Sequence, residues 1–348
     1  MAENYVITPE QGRLPCYLRA IKQECLHAQP IEAMDQYPLS HPEIAAYKAS
    51  LIGRGSDGSH YAGWADFLLD EYGPMQRCLS LGSGSGRVEK HLIEIGFARR
   101  FDAIDLSHIH SAIAQNAEVP GDAIEGDLNF CRFPKQQYDF VLCHGILHHL
   151  INLEHALGQI NDALKPDGIL LIHEYVGENR CQFTERRLGL LSEMFPTIKL
   201  RNPPIWTADG FEAIRSADLL SLIEGQFSAT CQRSVSYGGV LFPLISCNWR
   251  DARRQLSRII EADRRVSKER TLEACDHIGV YRKNDTPTPR AVPWTDSELI
   301  ARLDPWIPLT QRPALLLNKL RGRVRLRSRL KLYYAHFKAL FRQQARSV

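Results

Sequence analysis

Three histidines lie in the seven-residue stretch HGILHHL at 144–150. Histidine has an unperturbed pKa of about 6.5, which suits a side chain that takes up or releases a proton near neutral pH. His144 and His148 have the i, i+4 spacing of a pair of metal ligands, but the sequence places no acid or third histidine at matching spacing. The pattern therefore favours proton chemistry here, and no metal site is predicted.

A second stretch, CLSLGSGSGR at 78–87, has glycines at three alternate positions, Gly82, Gly84 and Gly86. Such a cluster indicates a tight turn or the close approach of a ligand to the backbone. The dinucleotide fingerprint G-x-G-x-x-G would place its third glycine at position 87, where Arg87 stands, and the Gly-Lys-Ser/Thr of a Walker loop is absent. The ligand must therefore be identified from the rest of the chain.

Short apolar runs alternate with helix-length segments, which indicates right-handed crossovers and a parallel sheet. The predicted strands are 77–82, 100–107, 122–127, 138–145, 168–176, 227–237 and 277–284. Helical spacing marks 87–95 and 152–164, and the sequence KPDG at 165–168 predicts the end of the second helix. The predicted fold class is α/β, a doubly wound, seven-stranded, mostly parallel sheet with a helical insert at 238–276 and a basic C-terminal extension.

Polar residues follow the predicted strands at the edge where an open parallel sheet binds ligands. Asp105 ends the second strand, where a carboxylate can accept hydrogen bonds from both hydroxyls of a ribose. Asp127 and Leu128 follow the third strand, where an acid can accept from an exocyclic amine and an apolar side chain can cover a purine. Two acids suit a nucleoside without phosphates, and S-adenosylmethionine (SAM) fits this pattern.

The chain resembles the class I SAM-dependent methyltransferases through LSLGSGSGRVEKHL, FDAIDLS, EGDLNF, YDFVLCHGILHHL and LKPDGILLIHEYVG, in this order. The resemblance covers residues 75–176 and, more loosely, 227–284. It implies that SAM is the cofactor, and that it is bound by Leu81, Gly82, Ser83, Gly84, Gly86, Asp105, Leu106, Asp127, Leu128 and His144. One departure is Ser80, since the family often has an acid two residues before the first glycine.

Methyl transfer is an in-line displacement that releases a neutral thioether, so positioning and desolvation contribute most. A hydroxyl acceptor must also lose its proton, and a base with a pKa near neutrality serves best. His148 and His149 are the first candidates for this base, and Glu174, at the end of the fifth strand, is the second. A role in packing against the cofactor is the alternative for the histidines.

The composition is that of a soluble globular protein, with 44% hydrophobic and 24% charged residues. No apolar stretch approaches the length of a membrane-spanning helix, and the first residues have no basic start or apolar signal core. The nine cysteines include no C-x-x-C pair, which indicates reduced thiols. These features predict a cytoplasmic protein.

The predicted domains are an N-terminal cap or substrate region at 1–76, the SAM-binding domain at 77–284, and a linker with a basic tail at 285–348. No acidic residue follows Asp304, whereas eleven lysines and arginines do. Apolar residues recur at helical spacing within this tail, which favours peripheral contact with the inner face of an anionic membrane through 315–345. Nucleic acid is the competing partner, and it is less favoured.

We therefore predict a SAM-dependent methyltransferase that O-methylates a small molecule or a saccharide, with a positioned general base. An RNA methyltransferase that uses the basic tail to bind its substrate is the first alternative. A SAM-binding scaffold without catalytic activity is the second.

Overall fold

The computed structural model describes residues 5–27, 38–52, 63–106, 119–203, 210–285 and 292–303. Residues 286–291 of the predicted linker and the predicted membrane contact at 315–345 lie outside these residues. The domain boundaries and the partner of the tail stay predictions.

The described strands form two sheets. They are β1 (Tyr5–Val6), β2 (Cys78–Leu81), β3 (Phe101–Asp105), β4 (Ala123–Glu125), β5 (Tyr138–His144), β6 (Leu164–Tyr175), β7 (Cys231–Tyr237), β8 (Asp276–Arg282) and β9 (Val292–Pro293). Among the described residues, the main sheet has seven strands in the order β4-β3-β2-β5-β6-β8-β7. Strands β2 to β6 pair in parallel, and β8 is antiparallel to both β6 and β7. This confirms the predicted fold class.

The second sheet has two strands, because β1 pairs in parallel with β9. It joins residues 5–6 to residues 292–293, which are far apart in the sequence. Neither strand is long enough to show an alternating pattern, so the sequence did not predict this pairing.

The helices lie before β2, between the later strands and after β9. They are α1 (Pro15–His27), α2 (Pro42–Ile52), α3 (Trp64–Tyr72), α4 (Arg87–Glu94), α5 (Leu153–Ala163), α6 (Glu185–Met194), α7 (Ser216–Phe227), α8 (Leu241–Ala252), α9 (Leu256–Glu269) and α10 (Asp296–Leu303). The predicted helices at 87–95 and 152–164 are α4 and α5, and the predicted helical insert contains α8 and α9. Of the helices that the structure describes, none combines the length and the apolar character needed to cross a bilayer.

Strand β6 begins at Leu164, four residues earlier than predicted. Helix α5 ends at Ala163, and Leu164 pairs directly with Tyr138 of β5. The register then shifts before Ile169 pairs with Phe140. The sequence KPDG thus lies in an irregular part of β6, where four residues bulge out between the paired positions Leu164 and Ile169.

The central strands are buried on both faces, which explains their nearly continuous apolar sequences. Phe140 and Leu142 of β5 pack into a core with α2, α3, α4, α8 and α9, whereas Val141 and Cys143 pack into a second core with α5 and α7. Successive side chains of a strand point to opposite faces, so one strand contributes to both cores. This packing fixes the carboxyl ends of the parallel strands at one edge of the sheet.

Candidate functional site

The glycine turn, residues 82–86, connects β2 to α4. Gly82, Gly84 and Gly86 all have left-handed backbones, with φ of 64°, 53° and 71°. A Cβ atom at Gly82 would lie 2.4 Å from the side chain of Ile146, so residue 82 must be a glycine for steric reasons as well. The turn is therefore packed directly against the segment that follows β5.

Asp105 ends β3 and forms a hydrogen bond with the glycine turn. Its side chain is buried, and Oδ2 accepts a hydrogen bond of 2.9 Å from the backbone N–H of Gly84. Leu106 follows, half-buried, at the same edge of the sheet. The acid predicted to bind the ribose thus lies beside the glycines predicted to lie under the methionine moiety.

Asp127 follows β4 and is joined to the N-terminal helix. Its Oδ2 accepts a hydrogen bond of 2.7 Å from the hydroxyl of Tyr17, and Oδ1 accepts from the backbone and side-chain N–H groups of Asn129. A carboxylate has about four lone-pair sites, so it can still accept from an exocyclic amine. Leu128 is buried in the core. Burial and the neighbouring Asp127 carboxylate raise the pKa of Tyr17, which keeps its hydroxyl protonated.

Glu89 of α4 supplies an acid next to Ser80. The Ser80 hydroxyl donates a hydrogen bond to Oε1 of Glu89, and only 3% of Glu89 is exposed. Among the residues that the structure describes, Oε2 of Glu89 and Oγ of the nearby Ser83 are buried without a hydrogen-bond partner. Burial raises the pKa of Glu89. A buried acceptor that lacks a donor is unfavourable, so this pair fits the ammonium group at the amino-acid end of SAM.

His144, at the end of β5, packs against other aromatic rings. Its ring is 4.8 Å from that of His173 and 6.0 Å from that of Trp64, measured between centroids. Burial lowers the pKa of His144, which favours a neutral ring. Its predicted contact with the cofactor stays a prediction.

Glu174, on β6, holds the segment after β5 in place. It is 1% exposed, and Oε1 accepts hydrogen bonds from the backbone N–H groups of Ile146 and Leu147 at 2.8 and 2.9 Å. Its Oε2 lies 2.8 Å from Nδ1 of His148. Burial raises the pKa of Glu174, but the hydrogen bonds from His148 and the backbone outweigh this, so the pKa is lowered. The carboxylate thus orients His148 with Nδ1 as the donor and Nε2 pointing away.

His148 and His149 lie side by side and face two further carboxylates. Nδ1 of His149 is 3.2 Å from Oε2 of Glu24 on α1. Nε2 of His148 is 3.7 Å from Oε1 of Glu212, and Nε2 of His149 is 3.7 Å from Oε2 of the same residue. We call His148, His149, Glu24, Glu174 and Glu212 the His–Glu cluster. Burial lowers the pKa of His149, but Glu212 and Glu24 raise it to about 9.

The segment 210–215, which carries Glu212, is fixed by two arginines. Arg180, in a left-handed backbone conformation, donates to the carbonyl oxygens of Gly210 and Glu212 at 2.6 and 3.2 Å. Arg215 forms two hydrogen bonds with the buried Glu154 of α5, at 2.8 and 2.9 Å. The position of Glu212 is therefore set by buried tertiary contacts.

Sequence reasoning missed four side chains of the site, namely Tyr17, Glu24, Glu89 and Glu212. Glu89 had a detectable signal, because it shares the apolar face of α4 with Leu92 at i+3 spacing. The other three lie in α1 or in a loop and belong to no motif. They are brought to the site only by folding.

The fold and the site define a class of protein. A sheet of this strand order, with a glycine turn after β2 and carboxylates at the ends of β3 and β4, is the SAM-binding fold of class I methyltransferases. A family model described as a methyltransferase domain matches residues 54–213. Residues 54–213 are thus similar to a methyltransferase domain, in agreement with the predicted class I SAM-dependent methyltransferase.

Curated relatives match part of the chain. A malonyl-[acyl-carrier protein] O-methyltransferase of Chlorobium luteolum is 28% identical over 141 residues, which cover 39% of this chain and 48% of that protein. The mitochondrial arginine-hydroxylase NDUFAF5 of Homo sapiens is 29% identical over 140 residues, which cover 38% of this chain and 40% of that protein. The chain thus spans less than half the length of these relatives.

Solved structures show weaker similarity. The PH0226 protein of Pyrococcus horikoshii is 13% identical, with a TM-score of 0.40, and the match covers 74% of this chain and 100% of that chain.

Proposed function

We propose that the chain transfers the methyl group of SAM to a hydroxyl oxygen of a small molecule or a saccharide. The observation that carries this proposal is the position of the His–Glu cluster directly beside the glycine turn. Ile146 contacts the turn at Gly82, and His148 and His149 follow within three residues. An acceptor bound over the cluster would lie close to the reactive end of the cofactor.

The predicted cofactor residues are compatible with SAM. The left-handed glycine turn lets the backbone approach the amino-acid end, and Glu89 with Ser83 offers buried acceptors for its ammonium group. In this proposal Asp105 accepts hydrogen bonds from the ribose, and Leu128 and Asp127 contact the adenine. When bound, SAM supplies an electrophilic methyl group on a sulfonium. The chain's contribution is then to position the acceptor and to exclude water.

Oxygen is favoured as the acceptor atom because the cluster can take up a proton. A hydroxyl must lose its proton during methyl transfer, whereas a neutral amine needs no base before it attacks. Glu174 is occupied by two backbone groups and by His148, so in this proposal it positions His148 and does not touch the acceptor. In this proposal His148 or Glu212 takes up the acceptor proton, because His149, whose pKa is raised to about 9, is already protonated near neutral pH. The similarity to the Chlorobium luteolum protein, an O-methyltransferase, supports the same choice.

The first test is calorimetric titration of the purified full chain with SAM and with S-adenosylhomocysteine. We expect Asp105→Ala to weaken binding by about 100-fold, because it removes a predicted ribose acceptor and also the hydrogen bond that the carboxylate accepts from Gly84. Asp167→Ala, at an exposed position, is the matched control and should bind normally. Binding that Asp105→Ala leaves intact would contradict the assignment of this site.

The second test is mass spectrometry of a panel of hydroxylated small molecules, saccharides, amines and RNA after incubation with SAM. The proposal expects one added methyl group on an oxygen. Methylation of RNA alone would support the RNA methyltransferase instead. Tight binding of SAM with no product across the panel would support the scaffold.

A further inference from the structure

We propose that His148, His149 and Glu212 form a binding site for a divalent cation of the zinc type. This inference deepens the proposed function and rests on it in one respect, namely that the cation, in place of direct proton uptake by these side chains, would activate the acceptor hydroxyl. The sequence places no acid near His148 at ligand spacing. The fold brings one from position 212.

The three side chains converge in space. Each can offer one ligand atom such that all three atoms lie within 4.8 Å of one another. The two Nε2–oxygen distances of 3.7 Å are too long for hydrogen bonds. Zinc binds nitrogen and oxygen ligands at about 2.0–2.2 Å, so neighbouring ligand atoms of a tetrahedral site are roughly 3.3 Å apart. The Nε2–oxygen distances would have to shorten by roughly 0.4 Å, and the other separations, which lie within 4.8 Å, by up to roughly 1.5 Å to reach ligand geometry.

The far side of each imidazole faces a carboxylate. Nδ1 of His148 is 2.8 Å from Glu174, and Nδ1 of His149 is 3.2 Å from Glu24. A histidine that binds a metal usually donates its other N–H to a carboxylate or a carbonyl, which fixes the tautomer and makes the ligand more basic. Here His148 has such a partner in Glu174, whereas Nδ1 of His149 is paired with Glu24 by charge at 3.2 Å and not by a hydrogen bond. Both Nε2 atoms are directed at the same acid, Glu212. An ordinary pair of histidine–carboxylate bridges does not require this double arrangement.

The ligand types select the cation. Two imidazoles and one carboxylate are a set used by catalytic zinc sites, whereas magnesium and calcium prefer oxygen ligands alone. Three protein ligands leave a fourth position for an acceptor oxygen. Bound there, the hydroxyl would release its proton to water, and its oxygen would form the new bond to the methyl carbon as the carbon–sulfur bond breaks.

The experiment uses the full-length protein, treated with EDTA, freed of it by dialysis, and titrated with zinc chloride in the absence of SAM and acceptor. We expect one ion per chain, with the affinity lowered at least about tenfold by Glu212→Gln or His149→Gln. His91→Gln, which changes an exposed histidine on α4, is the matched control and should leave the titration unchanged. Binding of S-adenosylhomocysteine by each variant shows that it is folded.

Two outcomes would overturn the inference. One is the absence of zinc binding by folded protein, and the other is zinc binding that both cluster variants leave intact. Methyl transfer that continues undiminished in EDTA would also count against it, while the proposed O-methylation would stand. Zinc bound as expected, without turnover on any acceptor, would instead count against the proposed function alone.

Discussion

The two halves of the site are built in different ways. On the cofactor side, the glycine turn and Asp105 come from neighbouring parallel strands, and a backbone N–H joins them. On the acceptor side, the His–Glu cluster draws its five residues from α1, the segment after β5, the end of β6 and the segment 210–215. The cofactor side thus depends on strand ends and backbone conformation, and the acceptor side depends on side chains that meet across the fold.

This difference predicts which substitutions disturb each half of the site. Substitutions in buried tertiary contacts should disturb the acceptor side and leave SAM binding largely intact. Substitutions in the glycine turn or in α4 should do the reverse. Three variants test this comparison, in order of decreasing expected effect.

Glu154→Gln should have the largest effect, because it removes the buried carboxylate partner of Arg215 and leaves the partly exposed Asp218 to pair with it. The side chains of Glu154 and Arg215 are 1–3% exposed, and breaking such a pair costs about 3–5 kcal/mol. Urea unfolding measures this loss. Glu94→Gln, in the exposed pair with Lys90, is the control and should change the unfolding free energy by about 0.5 kcal/mol or less. Equal effects of the two variants would show that Arg215 does not anchor the segment 210–215.

Glu174→Gln should lower turnover by about 10–100-fold, because His148 loses the carboxylate that orients it. The affinity for SAM, measured by calorimetry, should stay unchanged if the two halves are independent. Glu193→Gln, at an exposed position on α6, is the control. A parallel loss of turnover and SAM affinity would mean that Glu174 supports the whole edge of the sheet and not the cluster alone.

Glu89→Gln should have the smallest effect, about a tenfold loss of affinity for S-adenosylhomocysteine. The substitution replaces one carboxylate oxygen with a donor that cannot accept from the cofactor's ammonium group. Binding of 5′-methylthioadenosine, which lacks the amino-acid end, should not change. Glu94→Gln on the same helix is the matched control. If both nucleosides bind more weakly to Glu89→Gln, the role of Glu89 is to support the turn.

Much of the fold could be predicted from the sequence, because strands buried on both faces have apolar runs that are visible without knowledge of their partners. The two-stranded sheet of β1 and β9 and the early start of β6 could not, since both depend on pairing between distant segments. The predicted amphipathic tail lies outside the described residues and stays a prediction.

The sequence by itself determined that a glycine turn follows the first strand of the main sheet and that Asp105 and Asp127 follow the next two. A left-handed backbone and the end of a strand depend on neighbouring residues, so residue types and their spacing predict both directly. Only the tertiary structure decided that Glu89 lies against Ser80 and that Glu24 and Glu212 meet His149. These contacts join side chains that are distant in the sequence or lie across a turn. Helix packing and buried arginines set the positions of these side chains, so no rule of sequence spacing predicts the contacts.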